Sequence, residues 1–181
     1  RKVKTNDIFW IASMSKPITA VCIAILADEG KLGFDDPLAK HLPEFAELTV
    51  NQNGGSAKAS RAITLRDVMT HTSGLGDMTQ REPHLTLAET SRKLAQQPLR
   101  FQPGSRWGYS TAGIDVLGRV VEVASGMPFD QFLKKRVLDP LGMKDTSFTN
   151  ASGLPDPKHY STAYDLGLRA AALIRDFPDF Y

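Results

Sequence analysis

The chain has 181 residues, of which 41% are hydrophobic and 23% charged, and a formal net charge of +2. That is long enough for one domain with a real core, and the composition is neither that of a disordered chain nor that of a fibrous one. Its 22 basic and 20 acidic residues are scattered along the sequence, which argues against a nucleic-acid partner.

In chain order, Ile8-Phe9-Trp10-Ile11 is a candidate short strand, and a helix is expected over 15–29. There Ile18, Val21, Cys22, Ile25 and Leu26 recur at three and four residues, Pro17 suits a first helical turn, and Gly30 supplies a stop. Cys22 is the only cysteine, so no intrachain disulfide can form, and its apolar setting predicts a buried thiol. Asp36-Pro37 through Leu48 reads as irregular, Leu48-Thr49-Val50 as a second short strand, and Asn51-Gln52-Asn53-Gly54-Gly55-Ser56 as a polar surface loop.

Thr64 and Asp67 have capping-box spacing, which predicts a helix carrying Leu65, Val68 and Met69 and ending at Gly74. Thr86 and Glu89 repeat the device and open a second short helix, ended by Pro98. Ile114, Leu117, Val120, Val121 and Ala124 mark a helix that stops at Gly126. Phe129, Phe132, Leu133 and Val137 mark the next, expected to stop before Pro140, and Ser161 or Thr162 caps a last helix. The pattern is that of a mainly α body.

No apolar run approaches the ~20 residues that cross a bilayer, and Arg1-Lys2-Val3-Lys4 is not followed by a signal-peptide apolar run. The four histidines, at 41, 71, 84 and 159, lie too far apart to suggest a metal site. These features assign no compartment.

The chemistry-bearing stretch is Ser13-Met14-Ser15-Lys16, a Ser-x-x-Lys motif where an extended segment becomes a helix. The spacing puts Ser13 and Lys16 one turn apart on one side, so the amine reaches the hydroxyl. The positive end of the helix dipole there opposes a second positive charge and stabilises negative charge developing on the Ser13 oxygen. Spacing alone leaves open that Ser13 is an N-cap and Lys16 a solvated first-turn residue.

The run from Phe9 to Ala20, Phe-Trp-Ile-Ala-Ser-Met-Ser-Lys-Pro-Ile-Thr-Ala, resembles the nucleophile segment of class C β-lactamases and of the β-lactamase-like family VIII carboxylesterases. Gly30-Lys31-Leu32, Leu42-Pro43-Glu44-Phe45 and His71-Thr72-Ser73-Gly74-Leu75 are similar to connecting segments of that family and are read as scaffold. Trp107-Gly108-Tyr109-Ser110-Thr111 resembles its second catalytic motif. The resemblance implies that Ser13 is acylated, that Lys16 and Tyr109 share proton transfer, and that Trp107, Ser110 and Thr111 contact substrate. A neighbouring ammonium favours the phenolate of Tyr109, and the two groups would titrate as a pair. Without the resemblance, a half-buried tyrosine beside Trp107 is the plainer reading.

Thr111 stands where β-lactamases and peptidases of this superfamily have Asn, which points from amides towards esters. The resemblance is esterase-like over 1–147. Over 148–181, with Ser152-Gly153-Leu154-Pro155-Asp156 and His159-Tyr160-Ser161-Thr162-Ala163, it turns to D-alanyl-D-alanine carboxypeptidases, so two relatives join near 141–148. It implies the helical portion of the α+β β-lactamase/transpeptidase-like fold over 1–181, without the N- and C-terminal sheet strands of relatives. One such strand gives the second oxyanion donor, worth about 3 kcal/mol. The expected substrates are a small ester first, then a D-Ala-D-Ala peptide or a β-lactam, with no cofactor and with a second chain as a source of the sheet. The rival reading is an inactive helical scaffold.

Overall fold

The computed structural model describes residues 1–52, 54–78 and 85–180; Asn53 and His84, which enter the expectations above, lie outside them. The chain opens with β1 (Ile8–Phe9), passes through a 3-10 turn at Ala12–Ser15 and enters α1 (Lys16–Asp28). Proline lacks an N–H and is accommodated in the first turn, where that donor has no partner within the helix. Ile18, Cys22, Ile23 and Leu26 form the buried stripe of α1, and burial pushes the Cys22 thiol up to about 12.

The stretch expected to be irregular contains a four-residue helix, α2 (Leu38–His41), and a 3-10 turn at Pro43–Phe45. Leu38, Leu42, Phe45 and Leu48 anchor it in the core. The polar loop expected over 51–56 is instead part of a hairpin: β2 (Thr49–Gln52) pairs antiparallel with β3 (Gly55–Lys58), with Val50 opposite Ala57. Buried Val50 and the bonds Leu99 N–H to Thr49 O and Asn51 N–H to Leu99 O tie the hairpin to the body.

α3 (Leu65–Met69) and α4 (Leu87–Ala95) both start on complete capping boxes, Thr64 with Asp67 and Thr86 with Glu89. α3 ends at Thr70, short of Gly74, because His71 turns left-handed at φ +60°. α5 (Thr111–Ser125) is the centre of the molecule: Ala112, Ile114, Val116, Leu117, Val120 and Val121 are buried against α1, α3, α4 and α6 (Phe129–Leu133). It stops at Gly126 in the left-handed conformation.

The helix begun by α6 does not stop before Pro140. A π-helical turn at Lys134–Leu138 leads into α7 (Asp139–Leu141), which contains the proline and ends at Gly142. Pro140 occupies the first turn of α7, where no N–H is needed, so it breaks nothing.

β4 (Ser161–Thr162) pairs antiparallel with β1, and Thr162 caps α8 (Ala163–Asp176). Helix therefore dominates, with two two-stranded sheets among the described residues. β1 and α8 are thinly covered: Ile8, Phe9, Trp10, Tyr164, Ile174 and Phe177 are all exposed. No helix of the described residues is long and apolar enough to cross a membrane, and no group of three His, Cys, Asp or Glu among them could hold a metal ion.

Candidate active site

Ser13 lies in the turn that joins β1 to α1. Ala12, immediately before it, has φ +48°, a left-handed conformation that costs a residue with a Cβ roughly 1–2 kcal/mol, so its surroundings must hold it. Part of that holding is steric. Gly153 has φ +87°, and a Cβ there would stand 1.8 Å from the Ala12 carbonyl oxygen, so the loop around 153 sits directly on the turn.

Three consecutive carbonyls of that loop accept hydrogen bonds from the nucleophile segment. Thr19 Oγ1 donates to Ala151 O at 2.6 Å, Lys16 Nζ to Ser152 O at 2.7 Å, and Trp10 Nε1 to Gly153 O at 3.1 Å. Lys16 is buried, and its amine also donates to Ser13 Oγ at 3.0 Å. From the far side Tyr109 Oη donates to Ser13 Oγ at 2.9 Å, although 96 residues separate the two in sequence. The structure thus brings Ser13, Lys16 and Tyr109 together on one oxygen.

Tyr109 is held by its backbone. Arg100 donates one guanidinium nitrogen to Leu75 O, Gly108 O and Tyr109 O at 2.9, 3.1 and 2.9 Å. Gly108 N–H donates to His71 O at 2.8 Å, and the His71 ring stacks on the phenol with centroids 4.6 Å apart. His71 Nδ1 accepts from Ser110 N–H at 3.3 Å, so its proton sits on Nε2. Burial first, then the charges of Lys16 and Arg100, hold this imidazole below its ordinary value despite Asp77. For Tyr109, burial disfavours the phenolate, but the hydrogen bonds of Lys16 and Ser13 and the Lys16 charge outweigh it. The phenol is held below its ordinary 10.0.

A cavity of about 320 Å³ opens on these groups, lined by Ser13, Lys16, Met69, His71, Tyr109 and Leu117 among others. A second, of about 400 Å³, lies between α4, α5 and the 149–156 loop, with Met78, Leu85, Leu87, Ala112, Asp115 and Leu154 in its walls.

Of the three residues expected to contact substrate, Trp107 is 65% exposed, its ring 6.2 Å from that of Tyr109. Thr111 is the half-buried first residue of α5, its N–H donated to Asp77 Oδ1 at 2.6 Å. The Ser110 hydroxyl is buried, accepts from Gly113 N–H and donates to Gly76 O, each at 2.9 Å. It caps α5 and has no free proton to offer a substrate. Sequence reasoning missed His71, taken there as scaffold, and Arg100 and Asp77, which no local pattern marks. Asp77 places its carboxylate on the N-terminus of α5, where the dipole favours it.

A hydroxyl at a helix start, with a buried amine and a phenol on its oxygen, is equipped for nucleophilic attack on a carbonyl. A family model described as Beta-lactamase matches residues 1–178. The chain belongs to the β-lactamase family. Esterase EstB of Burkholderia gladioli is 34% identical over 194 residues, covering 97% of the chain and 46% of that protein. Penicillin-binding protein 4* of Bacillus subtilis is 32% identical over 174 residues, covering 91% of the chain and 36% of that protein. A β-lactamase/D-alanine carboxypeptidase from Yersinia pestis complexed with citrate superposes with a TM-score of 0.73 at 23% identity, over 92% of the chain and 54% of its own. The chain thus carries the β-lactamase-like fold of a serine hydrolase family with esterases and penicillin-binding proteins among its members. It spans less than half the length of these two curated relatives.

Proposed function

We propose that this chain carries the nucleophile half of a carboxylesterase of the β-lactamase type. Ser13 forms the acyl-enzyme, and Lys16 and Tyr109 move the proton. The observation that carries the reading is the convergence of Lys16 Nζ and Tyr109 Oη on Ser13 Oγ at 3.0 and 2.9 Å. Attack requires one of these two groups to be deprotonated; in this reading Tyr109, whose phenolate the Lys16 and Ser13 hydrogen bonds favour, takes the Ser13 proton. Lys16, anchored on Ser152 O, stabilises the phenolate and the oxygen from which the proton leaves. The proton then passes to the leaving alkoxide; water attacking the acyl-Ser13 carbonyl gives a proton to the phenolate, which hands it to Ser13 Oγ as the acyl–oxygen bond breaks and the acid leaves.

Esters are favoured over amides on two grounds. Thr111 stands where amide-cleaving relatives carry Asn, and esters have the better leaving group, so a modest oxyanion site suffices. Because the chain spans under half the length of these two curated relatives, activity of the chain itself is part of the proposal. The test is kcat/KM for a p-nitrophenyl ester, a D-Ala-D-Ala peptide and a chromogenic cephalosporin, beside Ser13→Ala. Ester turnover that exceeds the other two and vanishes in Ser13→Ala supports the reading. Faster peptide turnover transfers it to the carboxypeptidases, and ester turnover untouched by Ser13→Ala removes it.

A second reading is favoured by the exposed Ile8, Phe9 and Trp10 and the thin cover of α8: a helical scaffold that works only with a sheet supplied by another chain. Absent ester turnover together with self-association through these residues would favour it.

A further inference from the structure

Ser15 and His159 lie 144 residues apart, and their side chains meet at 2.7 Å, Ser15 Oγ to His159 Nε2. Both residues are 1% exposed, so the protons between them are supplied by the protein alone. Ser15 has one hydroxyl proton, and its Oγ stands 2.8 Å from Ala12 O, a group that can only accept. The proton goes there, and His159 Nε2 must therefore be the donor to Ser15 Oγ. At the other side of the ring, Nδ1 stands 3.3 Å from Thr149 N, a group that can only donate, so Nδ1 must accept. Both ends select the same neutral tautomer, with the proton on Nε2. Burial, opposed by the charge of Asp156, keeps the ring neutral, and Phe148 closes it edge-on with centroids 4.8 Å apart.

This chain of bonds runs from Thr149 N–H through the imidazole and the Ser15 hydroxyl to the Ala12 carbonyl. Ala12 is the left-handed residue before Ser13. Its carbonyl and the Ser13 N–H belong to one planar peptide unit, so fixing the direction of the oxygen fixes the direction of the N–H and of the bond that leads to the Ser13 Cα. We infer that His159 is a positioning residue for Ser13, acting through Ser15 on the Ala12–Ser13 peptide plane. Its catalytic consequence rests on Ser13 being the nucleophile; its geometric part does not.

The experiment uses the whole chain, ¹⁵N-labelled, as wild type, His159→Met, His159→Gln, Ser15→Ala and the Ser15→Ala/His159→Met double variant. Met fills the space without a donor, whereas Gln carries an N–H near the position of Nε2. The readouts are the Ser13 amide resonance, the imidazole ¹⁵N pattern of His159, the rate of Ser13 labelling by a fluorophosphonate, and kcat and KM for a p-nitrophenyl ester.

The Ser13 amide is expected to move in His159→Met and in Ser15→Ala and to return towards wild type in His159→Gln. Labelling and kcat should fall roughly tenfold or more in the first two, since small misplacements of a reacting group are costly, with KM little changed. The double variant should lose no more than the worse single, because both act through one link. His159→Gln no better than His159→Met, or additive losses in the double variant, would overturn the inference. So would an Nδ1–H or charged imidazole in the neutral wild-type protein, which decides the matter even if His159→Met does not fold. If the wild type is not labelled, the nucleophile assignment to Ser13 falls. The amide resonance then judges the link alone: unmoved in Ser15→Ala, it refutes the link.

Discussion

Gly153→Ala tests whether the loop and the nucleophile turn form one packed unit. An added Cβ would lie 1.8 Å from Ala12 O, 2.4 Å from Ala12 C and 3.0 Å from Ser15 Oγ. Real Cβ contacts keep at least 3.0 Å, so turn and loop must separate by about 1.2 Å. The left-handed backbone at φ +87° adds roughly 1–2 kcal/mol for a residue with a Cβ, and relieving the overlap about 1–3 kcal/mol more. The expected loss is therefore about 2–5 kcal/mol of folding stability. Displacement of a reacting group by about 1 Å should also slow Ser13 acylation by up to ~10²-fold. Gly126→Ala is the control, because its φ is +70° but nothing lies within 4 Å of the added carbon, so it carries the backbone cost alone. Urea denaturation of both variants gives the difference, and the rate of fluorophosphonate labelling reports the nucleophilic reactivity of Ser13. If Gly153→Ala costs no more than Gly126→Ala and labels at the wild-type rate, the packed unit does not exist.

Three further outcomes can be checked with simple assays. If the Tyr109 phenolate is the base, ester kcat/KM rises with pH along a limb below 10.0; Lys16→Met, which removes a hydrogen bond and a charge favouring the phenolate, moves that limb to higher pH. An unmoved limb would assign it to another group. His71 and His159 are both held below 6.5 in the folded protein, so the unfolded chain binds their protons first as pH falls. Stability is whole above about 6.5 and declines below it towards the folded values, and melting curves of His159→Gln should show a shallower decline than wild type. Ser152 Oγ is buried without a hydrogen-bond partner among the described residues, so Ser152→Ala should leave the urea midpoint unchanged or raise stability by up to about 1 kcal/mol. A loss beyond that would mean the hydroxyl has a partner.

The sequence carried the helices well where one periodicity decided them. α1 and α5 follow the three-and-four spacing of Ile18, Cys22 and Leu26 and of Ile114, Leu117 and Val121, and their ends follow proline and glycine rules. It misled where a local rule had a second solution. The polar run around Asn51 read as a loop, yet Asn53-Gly54 is a hairpin signal, and Gly54 has the positive φ of +79° that a tight turn uses. Pro140 read as a stop, but it suits the first turn of a new helix. Ser110 was read as a substrate contact from its place in the motif; the helix that begins at Thr111 also makes it a cap. For the site, Ser13 and Lys16 were legible from spacing, because one turn of helix brings them together. Tyr109 was legible only through resemblance. His71, Arg100 and His159 act across folds of chain that no periodicity encodes.

The nucleophile segment depends on bonds to a loop that lies more than 130 residues further along the chain. The bonds from Trp10, Lys16 and Thr19 all end on backbone carbonyls, at Gly153, Ser152 and Ala151. A carbonyl is present whatever the side chain, so a 151–153 loop of the right shape can serve the nucleophile helix with many different side chains. Two positions escape that freedom. Gly153 is required because a Cβ would strike Ala12 O, and His159 is the one partner of this group that bonds through its side chain. If the loop is compatible with the nucleophile segment for this reason, exchanging 148–181 for the matching stretch of an esterase relative should keep the fold. Ser13 reactivity should be kept only when a glycine stands at 153 and a neutral side-chain donor at 159. Exchange variants that carry both residues and still lose Ser13 labelling, while melting as wild type does, would show that the loop's contribution lies in other side chains.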